Sequence, residues 1–391
     1  MRVVFIETKG SVYGGQKQLL ARCAEFDRRG IQYTVIHPFT DSNFAREYVE
    51  LQLRGTLWQP DASRQAGVDA DGVIQSPIQR VAFTFKAILK VVRSSPERVV
   101  IHSDAFDSAY LVSGLARIPG ALPRRVLKVF SVNSDRYRFF SRLDRILLPS
   151  QDRLCTNSEY SRRQLEHYDW LRRFDISVCY SAIDFDALDA VASETKLPIT
   201  RKSRQATVGY VGSFDRRKQL DQFVRCAIAA LSEAANLGLS LHFIVFGGAK
   251  TADQESYRDE VIATIEQSGF GQQIRFAGYC TTAQIMQHTD ALLCPFRHEP
   301  FGRVVPEFLY LGLEVFVIRD GGLEEAGCGF ARTLDGLDGS QLQQSFLDAM
   351  TEWLDVRDSV EPDITDRRRT LRAAFGAKAI VDRELQSYAP R

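Results

Sequence analysis

Cysteine is scarce and scattered: seven in 391 residues, with no Cys-x-x-Cys and no His-rich spacing. That pattern excludes a disulfide framework and a zinc site of ordinary spacing, and it points to a reducing compartment. Long apolar runs are missing too. A membrane-spanning helix needs about 18 or more consecutive apolar residues, and no such stretch occurs. The opening Met1-Arg-Val-Val-Phe-Ile-Glu-Thr-Lys-Gly10 has too short an apolar stretch for a signal peptide and reads as a first core strand. Neither charge sign dominates. Fifty basic residues face 49 acidic ones, so nothing global calls for nucleic acid as a partner. No internal repeat or low-complexity segment stands out. What is present is length, since 391 residues suit two domains better than one.

Strand and helix signals alternate throughout. In the first half, strands are expected at Val3–Ile6, Tyr33–His37 and Val99–His102. Between them, Leu19, Leu20, Cys23 and Phe26 give Gln16–Arg29 a helical stripe, ended by Gly30. Ser108–Ala116 reads as helical, and Arg145–Leu148 and Leu154–Asn157 are short and apolar. The stretch from about 182 to 205 lacks periodicity beyond a helical start at Phe185–Val191 and reads as a linker. A second series follows: strands at Thr207–Val211, Leu241–Phe246, Arg275–Ala277, Ala291–Pro295 and Val315–Ile318, with a helix at Leu220–Leu231. Such alternation predicts two mostly parallel sheets with helices on both faces. Ligands of open α/β sheets sit beyond the carboxyl ends of the strands, and the polar motifs of this chain fall at such ends.

The densest of these motifs is Glu299-Pro-Phe-Gly-Arg-Val-Val-Pro-Glu307. Glu299 lies on a loop after the apolar run Ala291–Phe296. Glu307 lies about one turn into an expected helix, Val304–Leu311. A carboxylate and a helix N-terminus then address a common point. The helix end suits a phosphate and the carboxylate suits hydroxyls, a combination that describes a nucleotide sugar. Two solvated glutamates on an amphipathic helix are the plainer alternative. The segment Val208 to Lys218 is a strand and turn ending in the cations Arg216, Arg217 and Lys218. Fixed cations stabilise charge on a departing diphosphate; an ordinary solvated basic turn has the same composition. Gly14-Gly15, between the first strand and its helix, lets backbone approach a phosphate or sugar. At the end of the strand Val99–His102, His102 and Asp104 are spaced to point the same way.

Glu299 to Gly312 resembles the Glu-(seven residues)-Glu signature of retaining GT-B glycosyltransferases of the family 4 type, and Val315 to Glu325 resembles that family's next strand and Gly-Gly turn. The resemblance runs along nearly the whole chain and is sharpest from about 207 to 325. It implies two Rossmann-like domains facing a central cleft: an acceptor-side domain at 1–185, a linker at 186–205 and a nucleotide-sugar domain at 206–375. A C-terminal helix at 376–391 has the option of returning to the first domain. It implies that Gly14 and Gly15 cover the donor diphosphate and that Lys218 meets the leaving phosphate. Ser213 departs from the family by standing where an arginine is usual, which leaves Arg216 or Arg217 as a substitute cation. His102 and Asp104 stand where the family often has His-x-His near the transferred sugar, with Asp104 the favoured candidate. The turn Gly278-Tyr279 implies contact with the nucleotide base, and Phe301, Gly302, Arg303 and Val304 line the donor. Glu299 would hold sugar hydroxyls and Glu307 the ribose.

The family reading expects no metal and no cofactor. Asp184-Phe-Asp186 therefore reads as part of the turn before the linker rather than a metal motif. Asn157 or Ser158 reads as a helix N-cap. The expected partners are a UDP- or GDP-sugar donor and a glycan or lipid-linked acceptor, with a cytoplasmic location. Residues 80–145 hold thirteen Lys or Arg against five Asp or Glu. Within them the mixed basic and apolar stretch Ile78–Val92 suits the surface of an anionic membrane; packing of its apolar residues on the first sheet is the alternative. Two other functions remain open, an accessory subunit that binds without turnover and a sugar-nucleotide epimerase.

Overall fold

The apolar runs form parallel strands, as expected of segments buried on both faces. The computed structural model describes residues 1–10, 14–39, 42–60, 77–133, 135–194, 204–357 and 364–389. It divides into two units, Met1–Asp184 with Ala374–Arg391, and Phe185–Ala373.

The first unit is built on seven strands: β1 Arg2–Ile6, β2 Tyr33–Ile36, β3 Thr56–Trp58, β4 Val99–Ser103, β5 Val126–Val132, β6 Arg153–Thr156 and β7 Ile176–Val178. Their order is β3-β2-β1-β4-β5-β6-β7, and every pairing is parallel. The order reverses between β1 and β4, so a crevice is expected beyond the ends of those two strands. One face of the sheet packs on the helix Gly14–Arg28 through Leu19, Leu20, Cys23 and Phe26. The C-terminal helix Ala377–Ser387 belongs to this unit and adds Val381 and Tyr388 to the same cluster. The other face takes the helix Pro77–Ser94, whose Ala87, Ile88, Val91 and Val92 are buried while Phe83, Phe85 and Leu89 pack against the cluster. Most of the apolar residues that suited a bilayer are thus part of the core.

The second unit holds β8 Gln205–Val211, β9 Ser240–Phe246, β10 Ile274–Gly278, β11 Ala291–Cys294, β12 Glu314–Ile318 and β13 Arg332–Leu334. The order is β10-β9-β8-β11-β12-β13, again all parallel, with the reversal between β8 and β11. The stretch read as the start of a linker is a helix of this unit, Phe185–Glu194; 195–203 lie outside the described residues. Of the two short apolar segments, the first is helical (Arg142–Leu147) and the second is β6. Ser158 is the N-cap of Glu159–Glu166, its hydroxyl accepting from the Ser161 N–H.

Candidate active site

At the β8/β11 reversal, the turn after β8 and the loop after β11 meet. Asp215 caps the 3-10 turn Arg216–Lys218 by accepting from the Arg217 N–H. The next residue, Gln219, takes a left-handed conformation, which ends the turn and starts the helix Leu220–Ala234. This geometry splits the three cations. Arg216 turns outward to Glu260 at 2.8 Å and over the Tyr257 ring. Arg217 and Lys218 turn inward, donating to the same Glu299 oxygen, Oε2, at 2.6 and 2.7 Å. Lys218 Nζ also lies 4.2 Å from the centre of the Phe296 ring. Burial pushes the Glu299 carboxyl up, but the Lys218 and Arg217 charges outweigh it and hold it below the usual carboxylate range.

The Glu299 loop is fixed from two sides. Gly322 N–H donates to the Glu299 carbonyl at 2.8 Å. The backbone packs so tightly there that a Cβ on Gly321, which has φ +75°, would lie 2.4 Å from the Glu299 oxygen. The Gly-Gly turn is therefore required by close approach, not by loop flexibility. Asp320 holds the preceding residues: it pairs with Arg297 at 2.7 Å and accepts from the His298 N–H. Arg297 lies outside the motifs read from sequence, and Asp320 lies inside Val315 to Glu325 without its supporting role showing there. Gly302, at φ +80°, leads into the helix Val304–Tyr310. Phe301 is buried, Val304 is half-buried, and Glu307 pairs with Arg303 at 2.9 Å. Ser213 lies in the turn after β8 and accepts the Tyr210 hydroxyl through its carbonyl at 3.0 Å. Tyr279 follows β10, is 66% exposed, and reaches the Gly248 carbonyl.

The first unit has a different site at its own reversal. Asp104, just past β4, is ion-paired to the buried Arg22, whose guanidinium also meets Glu384 of the C-terminal helix at 2.5 Å. His102 is fully buried, with Nδ1 at 2.5 Å from the Tyr388 hydroxyl and Nε2 at 2.6 Å from the Ser131 hydroxyl. Burial lowers its pKa, so the ring is neutral at pH 7. With both nitrogens engaged inside the core, its geometry suits holding Asp104 and the C-terminal helix in place more than touching a ligand. Beyond the ends of β1, β4 and β5 lies a cavity of about 360 Å³ lined by Glu7, Lys9, Gly15, Gln16, Asp104 and Asn133, among others. Glu7 is buried there, accepting from the Lys9 N–H at 2.7 Å and the Gln16 amide at 3.1 Å. Burial pushes its carboxyl up to about 7 despite those bonds. Sequence reasoning passed over Glu7 and Arg22. Gly14 and Gly15 open the helix Gly14–Arg28, and a Cβ on Gly15 would meet nothing within 4 Å.

Among the described residues no cluster of metal-ligating side chains appears, and Asp186 is paired with Arg372 at 2.6 Å. All seven cysteines are free.

Two Rossmann-like parallel-sheet units of this kind define the GT-B class. Anabaena HepE, solved in complex with UDP, superposes with a TM-score of 0.73 at 15% identity, over 99% of each chain. Residues 193–336 match the family model of glycosyl transferases group 1. A Klebsiella pneumoniae protein known only from its place in the cps region is 29% identical over 138 residues, 35% of this chain and 32% of that one. The 2-deoxystreptamine glucosyltransferase of Streptomyces kanamyceticus is 29% identical over 152 residues, 38% of this chain and 38% of that enzyme. These matches to curated relatives thus span 32–38% of either protein's length.

Proposed function

We propose that the protein is a retaining glycosyltransferase of the family 4 type, which moves a sugar from a nucleotide diphosphate sugar to a saccharide or lipid-linked acceptor in the cytoplasm. The observation that carries this reading is the convergence of Arg217, Lys218 and Glu299 at a strand-order reversal. Two cations held on one carboxylate oxygen are placed to turn to a diphosphate that competes for them. HepE has been solved with UDP and with UDP-glucose, which favours a UDP-sugar donor here. The cps-region relative favours a role in polysaccharide synthesis.

Reaction would proceed on one face of the sugar. The bond from the anomeric carbon to the diphosphate breaks and a bond to the acceptor oxygen forms on the same side. The acceptor proton passes to the departing phosphate, so no covalent nucleophile, metal or cofactor is required. Lys218 and Arg217 would stabilise the charge on that phosphate. This assigns to Arg217 the cation that Ser213 does not supply. Donor phosphate competes with Glu299 for the two cations, freeing the carboxylate to accept from sugar hydroxyls. Glu307 would accept from the ribose, Tyr279 would flank the base, and Phe301, Gly302, Arg303 and Val304 would shape the donor pocket. Gly14 and Gly15 would cover the diphosphate, with Asp104 near the transferred sugar and His102 behind it.

The test compares two variants in a thermal-shift titration with UDP, GDP, ADP and their sugars, followed by turnover of the donor that binds. Glu299→Ala should abolish most transfer and leave affinity for the bare nucleoside diphosphate intact. Glu307→Ala should weaken that affinity by about 1.5–3 kcal/mol, the scale of a charge-assisted hydrogen bond. Binding without any turnover in the unmodified protein would favour an accessory subunit, and conversion of donor with no acceptor would favour an epimerase. No response to any nucleotide would refute the reading.

A further inference from the structure

The first unit leaves large apolar residues exposed beyond Ile78 and Val81 of the helix that its sequence singled out. Phe139, Leu143 and Ile146 are 72%, 51% and 60% exposed, and Ile118 is 52% exposed. They belong to one surface: Arg117, next to Ile118, donates to the Ile146 carbonyl. The exposed charged side chains from Arg138 to Ile146 are all basic, namely Arg138, Arg142 and Arg145, with the Arg138 guanidinium 5.4 Å from the centre of the Phe139 ring. From 136 to 147 the sole acidic residue is Asp144. It is buried, capping Arg142–Leu147 through the Ser141 N–H at 2.6 Å and accepting the Tyr110 hydroxyl. A short helix therefore turns its carboxylate inward and its arginines and large apolar side chains outward.

We propose that this surface, Ile118 with Arg138 to Ile146, docks on an anionic lipid bilayer. Apolar side chains of this size enter the boundary between headgroups and acyl chains, and arginines beside them meet lipid phosphates. A fluid anionic interface accepts an interleaved pattern of this kind in any register, whereas a protein partner would need carboxylates placed to match each arginine. The proposal stands independently of the sugar-transfer reading.

The test is cosedimentation of the full chain with phosphatidylcholine vesicles, with and without phosphatidylglycerol. Binding should need the anionic lipid and should fall as salt rises, because exposed charges are screened. Arg142→Glu with Arg145→Glu should weaken it by about 25-fold or more, about fivefold for each arginine lost. Leu143→Asp with Ile146→Asp should abolish it. Ile78→Asp with Val81→Asp, on the helix Pro77–Ser94, should leave it unchanged. Unaltered thermal melts and nucleotide affinity in each variant separate loss of docking from loss of folding or of the donor site. Equal binding to neutral vesicles would overturn the proposal. So would retention by both patch variants, loss only in the Ile78 and Val81 variant, or self-association that accounts for the sedimentation.

Discussion

The two units place charged residues at equivalent points, the strand-order reversals β1/β4 and β8/β11, but arrange them differently. In the second unit Arg217 and Lys218 share one carboxylate, Glu299. In the first, Arg22 is shared between two, Asp104 and Glu384. The first cluster is also sealed, since Arg22 and Glu384 are almost wholly inaccessible, whereas Arg217 is a third exposed. Two partly accessible cations gathered on one carboxylate oxygen, with Asp215 3.9 Å from Arg217, can turn to an arriving anion. A site with an extra carboxylate is prepared for hydrogen-bond donors such as hydroxyls, and its buried part serves stability. Each unit therefore carries its own reversal point, and the two differ in chemistry.

Removing the shared arginine should break this comparison most severely. Arg22→Met leaves Asp104 and Glu384 without their cation and should destabilise the first unit by about 3–5 kcal/mol, measured by denaturant unfolding. Adding Glu384→Gln to that variant should recover part of the loss. A change of less than about 1 kcal/mol on Arg22→Met would mean that the carboxylates find solvent and that the cluster is not sealed.

Removing Lys218 should do the opposite, sparing stability and harming reaction. Lys218→Ala should cut turnover by about 100-fold or more, the usual cost of losing one electrostatic stabiliser. Nucleoside binding should barely change. Near-normal turnover would transfer the phosphate role to Arg217 alone.

The contrast also marks what the sequence could and could not reveal. Glu299 and Glu307, the Gly321-Gly322 turn and Lys218 lie in short motifs whose local spacing places them on loop, turn and helix. Their grouping at one strand-order reversal follows from the alternation of strands and helices. The first unit's cluster joins Arg22 to a partner 362 positions away. No local pattern carries that information, so Arg22 looked like one polar position in an amphipathic helix. Glu7 looked like the end of a strand, and only burial makes it unusual. The three-residue strands β3, β7 and β13 are too short for a period to show. On the helix Pro77–Ser94 the same apolar residues suited a bilayer and a sheet equally, and packing decided between them.

Glu7 allows the acid-rich side to be tested by pH. Its carboxyl is raised from an ordinary 4.5 to about 7 by burial. A raised carboxyl costs stability once the unfolded chain ionises it more readily than the folded one does. The cost is absent below about pH 4.5, where both states are protonated, grows as pH climbs to about 7, and persists above it. Glu7→Gln should therefore stabilise the protein at about pH 8 by about 1–3 kcal/mol and leave it unchanged near pH 4. Denaturant unfolding at the two pH values measures this. A variant equally shifted at both would mean that Gln alters packing, not ionisation.

The smallest expected effect belongs to Arg216, and it sharpens the comparison within a single turn. Arg216 and Arg217 are adjacent and chemically identical, and sequence alone left either as the substitute for the arginine missing at Ser213. The turn geometry separates them: the Arg217 N–H is fixed by Asp215, and its side chain faces Glu299. Arg216 faces Glu260 at the surface, where each partner is more than half exposed. Exposed pairs of this kind contribute little, because water and salt screen them. Arg216→Ala should leave donor turnover and nucleotide affinity within experimental scatter. Arg217→Ala should lower turnover severalfold and release Glu299 from one of its two cations. Steady-state kinetics of the two variants under one set of conditions decide the matter. If Arg216→Ala is the damaging change, the inward and outward assignments reverse, and the cation that compensates for Ser213 comes from the solvent-facing side of the turn.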